Sequence, residues 1–341
     1  MTKYFYCKSY QMLNLALYYK HILNENIIII TPESRIIEVC NFLNTDYIEH
    51  HPFKFKGWKS LFPYWLFLKY RKKVINEITR VNNIIKEEEL HFSHDQFAVF
   101  CFLLISYNKN SSIYFHDFEF KYPRNKFPFP NIKSYIIWLQ MFLIKGIYKN
   151  PPLELRKTSN SGPVISLKHE FIIKKCNIFD YDADQYHQKT LALFKSLNIN
   201  YPEIDRLFIA QNHNLNSKNY TKKQKLILEK IFATLNEYNF KVKRHPKFQE
   251  PFVGYDFPEI HRNIPVEFFF NKINICVVSF HSSALITAAK LDKFKVISLI
   301  DLIVDREKSY MQKWKKKLIK DTEDKIYFPQ TLDELKNLLN E

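Results

Sequence analysis

The fold class is decided by residues 3–34, KYFYCKSYQMLNLALYYKHILNENIIIITPES. The apolar and aromatic run Lys3–Cys7 is followed by Gln11–Asn24, where apolar residues recur with helical spacing. The four consecutive isoleucines within Asn26–Thr31 predict a strand buried on both faces, and Pro32 marks the first turn of a second helix. This strand–helix–strand–helix order is typical of a parallel sheet covered by helices.

The same alternation resumes after Asn150–Pro163, a proline-containing polar stretch that predicts an inter-domain linker. We therefore predict an α/β protein with two Rossmann-like domains facing a central cleft, residues 1–155 and 156–330. A C-terminal helix is expected over 331–341, with packing back on the first domain as one option. Long helices are predicted over Gly57–Glu89, and the second domain should begin with a strand at Val164–Leu167.

The composition is that of a basic globular protein. Hydrophobic residues make up 46% and charged residues 25% of the 341 residues, which excludes a disordered chain. The 51 Lys and Arg residues exceed the 35 Asp and Glu residues and give a formal net charge of +16. A basic surface favours anionic partners such as nucleic acid, nucleotide sugars, acidic glycolipids or a membrane face, although a solvated surface is an equal alternative.

The pattern of cysteines and apolar runs favours a cytoplasmic protein. The five cysteines are scattered without metal-ligand spacing, which predicts free thiols in a reducing compartment. The start MTKYFYCKSY has no apolar core of a secretory signal, and no run reaches about 18 uninterrupted apolar residues. We expect a soluble protein, or one in peripheral contact with the inner face of the cytoplasmic membrane.

The first candidate site motif is FKVKRHPK at Phe240–Lys247, where a predicted strand ends in Arg244, His245, Pro246 and Lys247. Pro246 restricts its own backbone and favours an extended His245. A rigid imidazole among cations could stabilise a phosphate oxygen that gains charge as a glycosidic bond breaks. The alternative is a loop histidine beside a turn proline. The chain has no GxGxxG or P-loop sequence, which excludes the common dinucleotide and Walker sites.

The second motif is ICVVSFHSSALITAAKL at Ile275–Leu291. A buried strand runs into Ser279, and Ser282 and Ser283 precede an alanine-rich helix. Two hydroxyls and the free amides of a helix start favour phosphate binding, with ordinary N-capping by serine as the alternative. Between the two motifs lies NIPVE, in which Glu267 could accept hydrogen bonds from ribose hydroxyls or simply favour a helix start.

The order of HP, Pro-x-Glu and Ser-Ser between His245 and Ser283 resembles the bacterial sialyltransferases of the lipooligosaccharide sialyltransferase family (glycosyltransferase family 52) and the polysialyltransferases. The opening residues also resemble the first strand–helix unit of these enzymes. The resemblance implies the GT-B type of fold, a CMP-sialic acid donor, a cell-surface glycan acceptor, an inverting displacement and no metal or other cofactor. It assigns CMP binding to His245, with neighbours Pro246 and Lys247, and to Glu267, Ser282 and Ser283, with Ser279 nearby.

The resemblance also implies a catalytic base after a strand of the first domain. The family has two carboxylates and a glycine there, whereas this chain has His116, Asp117 and Phe118. Asp117 is the predicted base and His116 the alternative. A further candidate base, His213, follows Gln211 and Asn212, which are predicted to bind CMP at a strand end.

Three features have other interpretations. Asp180, Asp182 and Asp184 resemble a metal-binding Asp-x-Asp, but helix capping is favoured. The basic runs Lys69–Lys73 and Lys313–Lys320 are solvated helix faces or sites for anionic lipid. Rival functions are a GT-B envelope transferase with a glucosyl, Kdo or glycerophosphate donor, and a non-catalytic nucleic-acid-binding protein.

Overall fold

The computed structural model describes residues 1–50, 75–93, 112–117, 155–158, 162–165, 177–210, 221–244, 255–303 and 308–341. The chain divides into two compact units, Met1–Thr190 and Leu191–Glu341. Each unit contains one parallel sheet of its own. The predicted α/β architecture with two Rossmann-like units is therefore confirmed.

The first unit is built on a six-stranded parallel sheet. Its strands are β1 Lys3–Tyr6, β2 Ile27–Thr31, β3 Tyr47–Glu49, β4 Glu89–Ser93, β5 Ile113–Asp117 and β8 Asn177–Asp180. They lie in the order β3-β2-β1-β4-β5-β8, so β2 and β3 follow on one side of β1, and β4, β5 and β8 follow on its other side. Helices α1 Tyr10–His21 and α2 Ser34–Phe42 follow β1 and β2.

The opening stretch forms the predicted strand–helix–strand–helix unit. Helix α1 begins after Ser9, whose side chain accepts a hydrogen bond from the backbone N–H of Met12. Met12, Leu13, Leu15, Ala16 and Leu17 bury its inner face, and Lys20 and His21 lie in its last turn, where positive charge favours the helix dipole. Local capping and the apolar spacing therefore specify the same helix.

The second unit is built on a four-stranded parallel sheet. Its strands are β9 Ile204–Ala210, β10 Lys241–Arg244, β11 Ile273–Ser279 and β12 Lys295–Ser298, and they lie in the order β10-β9-β11-β12. Its helices are α3 Ala183–Ser196, which crosses the division between the units, α4 Lys222–Glu237, α5 Ser283–Leu291, α6 Lys308–Thr322 and α7 Leu332–Asn340. Two 3-10 helices cover Val266–Lys272 and Leu299–Leu302.

The core of the second unit is aromatic. Phe208 of β9, Phe232 of α4 and Phe280 after β11 are fully buried in one cluster. Leu335 and Leu339 of the C-terminal helix belong to the same cluster. One predicted option was that residues 331–341 pack on the first domain. They belong instead to the second unit, where the apolar face of α7 covers the core.

The boundary between the units differs from the predicted one at residue 155. The chain divides between Thr190 and Leu191, because β8 pairs in parallel with β5 and so belongs to the first sheet. The strand predicted at Val164–Leu167 is instead β7 Gly162–Ile165, which pairs antiparallel with β6 Leu155–Thr158. Of the long helices predicted over Gly57–Glu89, residues 57–74 lie outside the described residues. Residues 75–85 are helical, and Glu89 already starts β4.

The described residues contain no helix that is long and apolar enough to cross a membrane. Cys7, Cys40 and Cys276 are buried free thiols, as predicted. Cys101 and Cys176 lie outside the described residues.

The aromatic core of the second unit should be sensitive to truncation. We expect Phe232→Ala to lower the free energy of unfolding by about 3 to 5 kcal/mol, because it removes a fully buried ring and leaves a cavity. Urea unfolding followed by circular dichroism measures this loss. The matched control on the same helix is Leu226→Ala, whose side chain is 53% exposed and should change stability by less than about 0.5 kcal/mol. Equal effects of the two substitutions would contradict the assigned core.

Candidate active site

The strand order of the second sheet reverses next to β9. The strand that follows β9 in the chain, β10, lies on one side of it, whereas β11 and then β12 lie on its other side. Ligands of open parallel sheets bind outside the carboxyl ends of the strands at such a point. Arg244 is the register partner of Ala210, and Ser279 is the partner of Ile209, so these three strands end at the same edge.

Charged side chains surround the end of β10. The Glu259 carboxylate accepts two hydrogen bonds from Arg262, at 3.0 Å from Nε and 3.1 Å from Nη2. Its Oε2 also lies 3.5 Å from Nε of Arg244. The segment that carries Glu259 is fixed to β10, because Val242 donates its N–H to the Pro258 carbonyl at 2.8 Å and accepts from Ile260 at 2.9 Å. One carboxylate is therefore shared by two guanidinium groups, which leaves positive charge at this edge.

Lys243 is a buried lysine inside this charged cluster. It is only 5% exposed, and its Nζ donates to the backbone carbonyls of Arg244, at 3.1 Å, and of Arg262. Burial lowers the pKa of Lys243 to about 8, against the opposing influence of Glu267 and Glu259. Sequence reasoning treated this lysine as part of a basic motif and missed its burial. The burial of Lys243 could have been predicted from its position directly after Val242 in a short strand, because a parallel strand covered on both faces buries successive residues.

Glu267 lies at the start of the 3-10 helix Val266–Lys272, as the predicted helix-start carboxylate should. Its side chain is partly buried, and desolvation raises the pKa of Glu267, while the charge of Lys243 opposes that rise. The structure therefore places the predicted CMP-binding carboxylate in the electrostatic field of the end of β10.

The three predicted serines have different surroundings. Ser279 is fully buried, and its hydroxyl donates to the Ile209 carbonyl at 2.8 Å, so it joins β11 to β9, while its part in CMP binding stays a prediction. Ser282 is the N-cap of α5, and its Oγ accepts from the Ala284 N–H at 3.2 Å. Ser283 is exposed in the first turn. The capping interpretation is thus confirmed for Ser282, while Ser283 is the first residue of the helix, where backbone N–H groups lack partners within the helix.

Several predicted site residues lie outside the described residues. These are His245, Pro246, Lys247, Gln211, Asn212 and the alternative base His213. The described strands that precede these residues in the sequence end at the register partners Arg244 and Ala210. Their roles stay predictions.

The predicted base positions lie at the end of β5 in the first unit. Asp117 is the last residue of this strand and the register partner of Asp180. His116 is fully buried, with Nε2 2.9 Å from His91 Nδ1 and Nδ1 3.2 Å from the Tyr181 hydroxyl. Both ring nitrogens of His116 therefore have a hydrogen-bond partner within the first unit. The roles of Asp117 and His116 as bases stay predictions.

The buried histidines form a directed hydrogen-bond chain. The His91 Nε2 lies 3.1 Å from a carboxylate oxygen of Glu89, which can only accept when ionised. With both rings neutral, His91 Nε2–H donates to Glu89, His116 Nε2–H donates to His91, and Tyr181 donates to His116. Desolvation lowers the pKa of His91 to about 4 and that of His116 well below its ordinary value.

The acidic run DYDAD caps a helix. The Asp182 carboxylate accepts from the Gln185 N–H at 2.6 Å at the start of α3, which confirms the capping interpretation for this residue. Within the described part of the chain, no group of three or more His, Cys, Asp or Glu side chains is arranged to hold a metal ion.

The basic run Lys313–Lys320 lies on α6 and is partly neutralised. Lys315 pairs with Asp301 at 2.5 Å, and Lys317 pairs with Asp321 at 2.5 Å. Lys313, Lys316 and Lys320 are exposed. Contact of this helix with anionic lipid stays a prediction, and Lys69–Lys73 lies outside the described residues.

Comparisons with known proteins give remote structural likenesses. No family model and no curated protein matches the chain. Among solved structures, the spinosyn forosaminyltransferase SpnP has a TM-score of 0.40 and 8% identity and covers 100% of both chains. The E. coli heptosyltransferase WaaC with ADP-2-deoxy-2-fluoro heptose has a TM-score of 0.36 and 8% identity, over 87% of this chain and 88% of that one. The Methanocaldococcus jannaschii UDP-GlcNAc 2-epimerase with UDP-GlcNAc and UDP has a TM-score of 0.37 and 13% identity, over 100% and 93%. Because these TM-scores are below 0.5, the likenesses carry no argument about this chain.

The neutral histidine chain predicts a loss of stability in acid. Unfolded histidines bind a proton below a pKa of about 6.5, whereas in the folded chain the pKa of His91 is lowered to about 4 and that of His116 lies well below its ordinary value. The free energy of unfolding should therefore fall as the pH is lowered from about 6.5 to 4, by up to about 1.4 kcal/mol per pH unit for each histidine. Urea unfolding at several pH values measures this slope.

The variant His116→Phe should reduce that slope, because it removes one of the two groups while keeping a ring. The control His261→Phe, at an exposed position of the second unit, should leave the slope unchanged. A slope that is identical in His116→Phe and the wild-type protein would contradict a neutral buried His116.

Proposed function

We propose that this chain is a GT-B-type glycosyltransferase that uses a nucleotide-sugar donor, and that it transfers sialic acid from CMP-sialic acid to a sugar hydroxyl of a cell-surface glycan. The observation that carries the proposal is the carboxyl edge of the second sheet. The cationic end of β10 and the start of α5 with Ser283 lie at or directly after strand ends of this edge, and Glu267 interacts electrostatically with Lys243 near the end of β10.

The charges of this edge suit a nucleotide phosphate. The free amides and positive dipole end of α5 favour an anion, and the exposed Ser283 hydroxyl adds a donor. Arg244 and Arg262 share a single carboxylate and so retain net positive charge for the same anion. Stabilising a phosphate oxygen that gains negative charge is the main demand of glycosyl transfer from a nucleotide donor.

A carboxylate beside that anion site suits the nucleoside rather than the phosphate. Glu267 would accept hydrogen bonds from ribose hydroxyls, since a carboxylate is acceptor-only when ionised. The resemblance to bacterial sialyltransferases assigns the same part to this position and gives His245 the phosphate. The choice of CMP over other nucleotides, and of sialic acid as the transferred sugar, rests on that resemblance.

In the proposed reaction a base removes the proton of an acceptor hydroxyl, and the resulting oxygen forms a bond to the anomeric carbon as the bond to CMP breaks. The electron pair of the broken bond stays on the CMP phosphate, where His245, Ser283 and the α5 start would stabilise it. Asp117 is the proposed base. Because a single displacement inverts the anomeric carbon, the product should have the opposite anomeric configuration to the donor.

Nucleotide selectivity tests the proposal. CMP should raise the melting temperature of the protein in a concentration-dependent way, whereas UDP at the same concentration should have little effect. Ser283→Ala should diminish the CMP response without lowering the melting temperature of the free protein, because Ser282 supplies the cap. Ser196→Ala, at the last residue of α3, is the control and should retain the response. A response to UDP but not CMP would indicate another donor, and a response to neither would contradict the proposal.

The base assignment has its own test. Asp117→Asn keeps the size of the side chain and removes its basicity, so it should abolish transfer while CMP binding persists. Transfer is measured with CMP-sialic acid and a galactose-terminated glycan, and CMP binding by calorimetry. Undiminished transfer by Asp117→Asn would remove this residue from the reaction and leave His213 as the next candidate.

A further inference from the structure

We infer that Lys243 is a positioning residue of the nucleotide site, where its buried ammonium ties the end of β10 to the turn before Glu267. The inference rests on the proposed function, because it concerns the same edge of the second sheet. It adds a residue to which neither the motifs nor the resemblance assigned a role of its own.

The first argument is the set of bonds that Lys243 makes. Its Nζ donates to the carbonyl of Arg244 at the end of β10 and to the carbonyl of Arg262, 19 residues further along the chain. The second bond is short and part-buried. A single cation therefore joins the strand end to the turn that leads into the 3-10 helix of Glu267.

The second argument is the location of this cation among opposite charges. Glu267 and Glu259 both stabilise the charged form of Lys243, while Arg262 opposes it. The Lys243 charge in turn favours the ionised form of Glu267, whose own burial disfavours it. An ionised Glu267 is the form that accepts hydrogen bonds from two hydroxyls, so the lysine holds the carboxylate in its binding state.

The third argument is the cost of burying an ammonium. A charge removed from water destabilises a fold unless opposite charges and hydrogen bonds compensate it. Burial of the Lys243 ammonium lowers the free energy of unfolding at pH values below its pKa of about 8. This loss disappears as the pH rises toward 10.5, the ordinary pKa of lysine. A buried lysine that lowers stability at neutral pH, at the edge where ligands bind, is typical of a functional site.

The experiment separates stability from binding. Lys243→Met should weaken CMP binding at pH 7 by at least about tenfold, the scale of losing a charge-assisted hydrogen-bond network. The melting temperature of the free protein at pH 7 should change little, because the variant removes the desolvation cost of the ammonium together with its hydrogen bonds. The control Lys241→Met lies two residues earlier in the same strand, where Nζ donates to the Glu203 carbonyl at 3.3 Å, and should bind CMP like the wild-type protein.

A second variant, Lys243→Gln, retains a hydrogen-bond donor but not the charge, and it serves if the methionine variant does not fold. The CMP affinity of the wild-type protein should decline as the pH rises through the Lys243 pKa of about 8, and this decline should be absent in both variants. Calorimetry between pH 6.5 and 9.5 measures it.

The outcomes distinguish the two proposals. Wild-type CMP binding together with unchanged affinity and pH dependence in Lys243→Met or Lys243→Gln overturns the role of Lys243 alone. Absence of CMP binding by the wild-type protein at every pH overturns the proposed function and this inference with it. Weakened binding accompanied by a large fall in melting temperature in both variants makes Lys243 a structural residue and also overturns the inference.

Discussion

The parallel pairing of β9 with β10 on one side and β11 on the other is the constraint on which the candidate site depends. Parallel strands in register end at the same edge, so Ala210, Arg244 and Ser279 are neighbours although they are far apart in sequence. The buried hydroxyl of Ser279 strengthens this arrangement by bonding to the carbonyl of Ile209. Each segment that leaves this edge therefore starts from a position fixed by the sheet, and the sheet is in turn held by its aromatic core.

The two units use buried polar groups in different ways. In the first unit, the buried His91 and His116 are hydrogen-bonded to each other, and their remaining ring nitrogens bond to Glu89 and to Tyr181, respectively. In the second unit, Lys243 and Glu267 lie at the end of the sheet, where their charges oppose the cost of burial. The neutral histidines support packing, whereas the charges of Lys243 and Glu267 create an electric field near the strand end.

Much of the fold could be predicted from the sequence, because periodicity and capping agree locally. The four isoleucines of β2, the helix after Ser9 and the Ser282 cap were all predictable from residue types and spacing. Strand β4 was not, because its buried face carries Glu89, His91 and Ser93, which read as polar residues of a helix or loop. Strand β8 was missed because its place is decided by pairing with β5, a long-range contact that local pattern does not contain.

The candidate site was predicted by residue type at Glu267 and Ser283, while the burial of Lys243 and Ser279 depends on neighbouring segments.

The carboxylate of Glu259 has a consequence for how the site meets its ligand. A free arginine side chain on a protein surface samples many rotamers, and holding it in one of them on binding costs about 2 kcal/mol of rotamer entropy. Here Glu259 pairs with both Arg244 and Arg262 within the fold. In the proposed nucleotide site, this internal counter-anion would order the two guanidinium groups during folding, so that binding a phosphate would not carry the full entropic cost of ordering them.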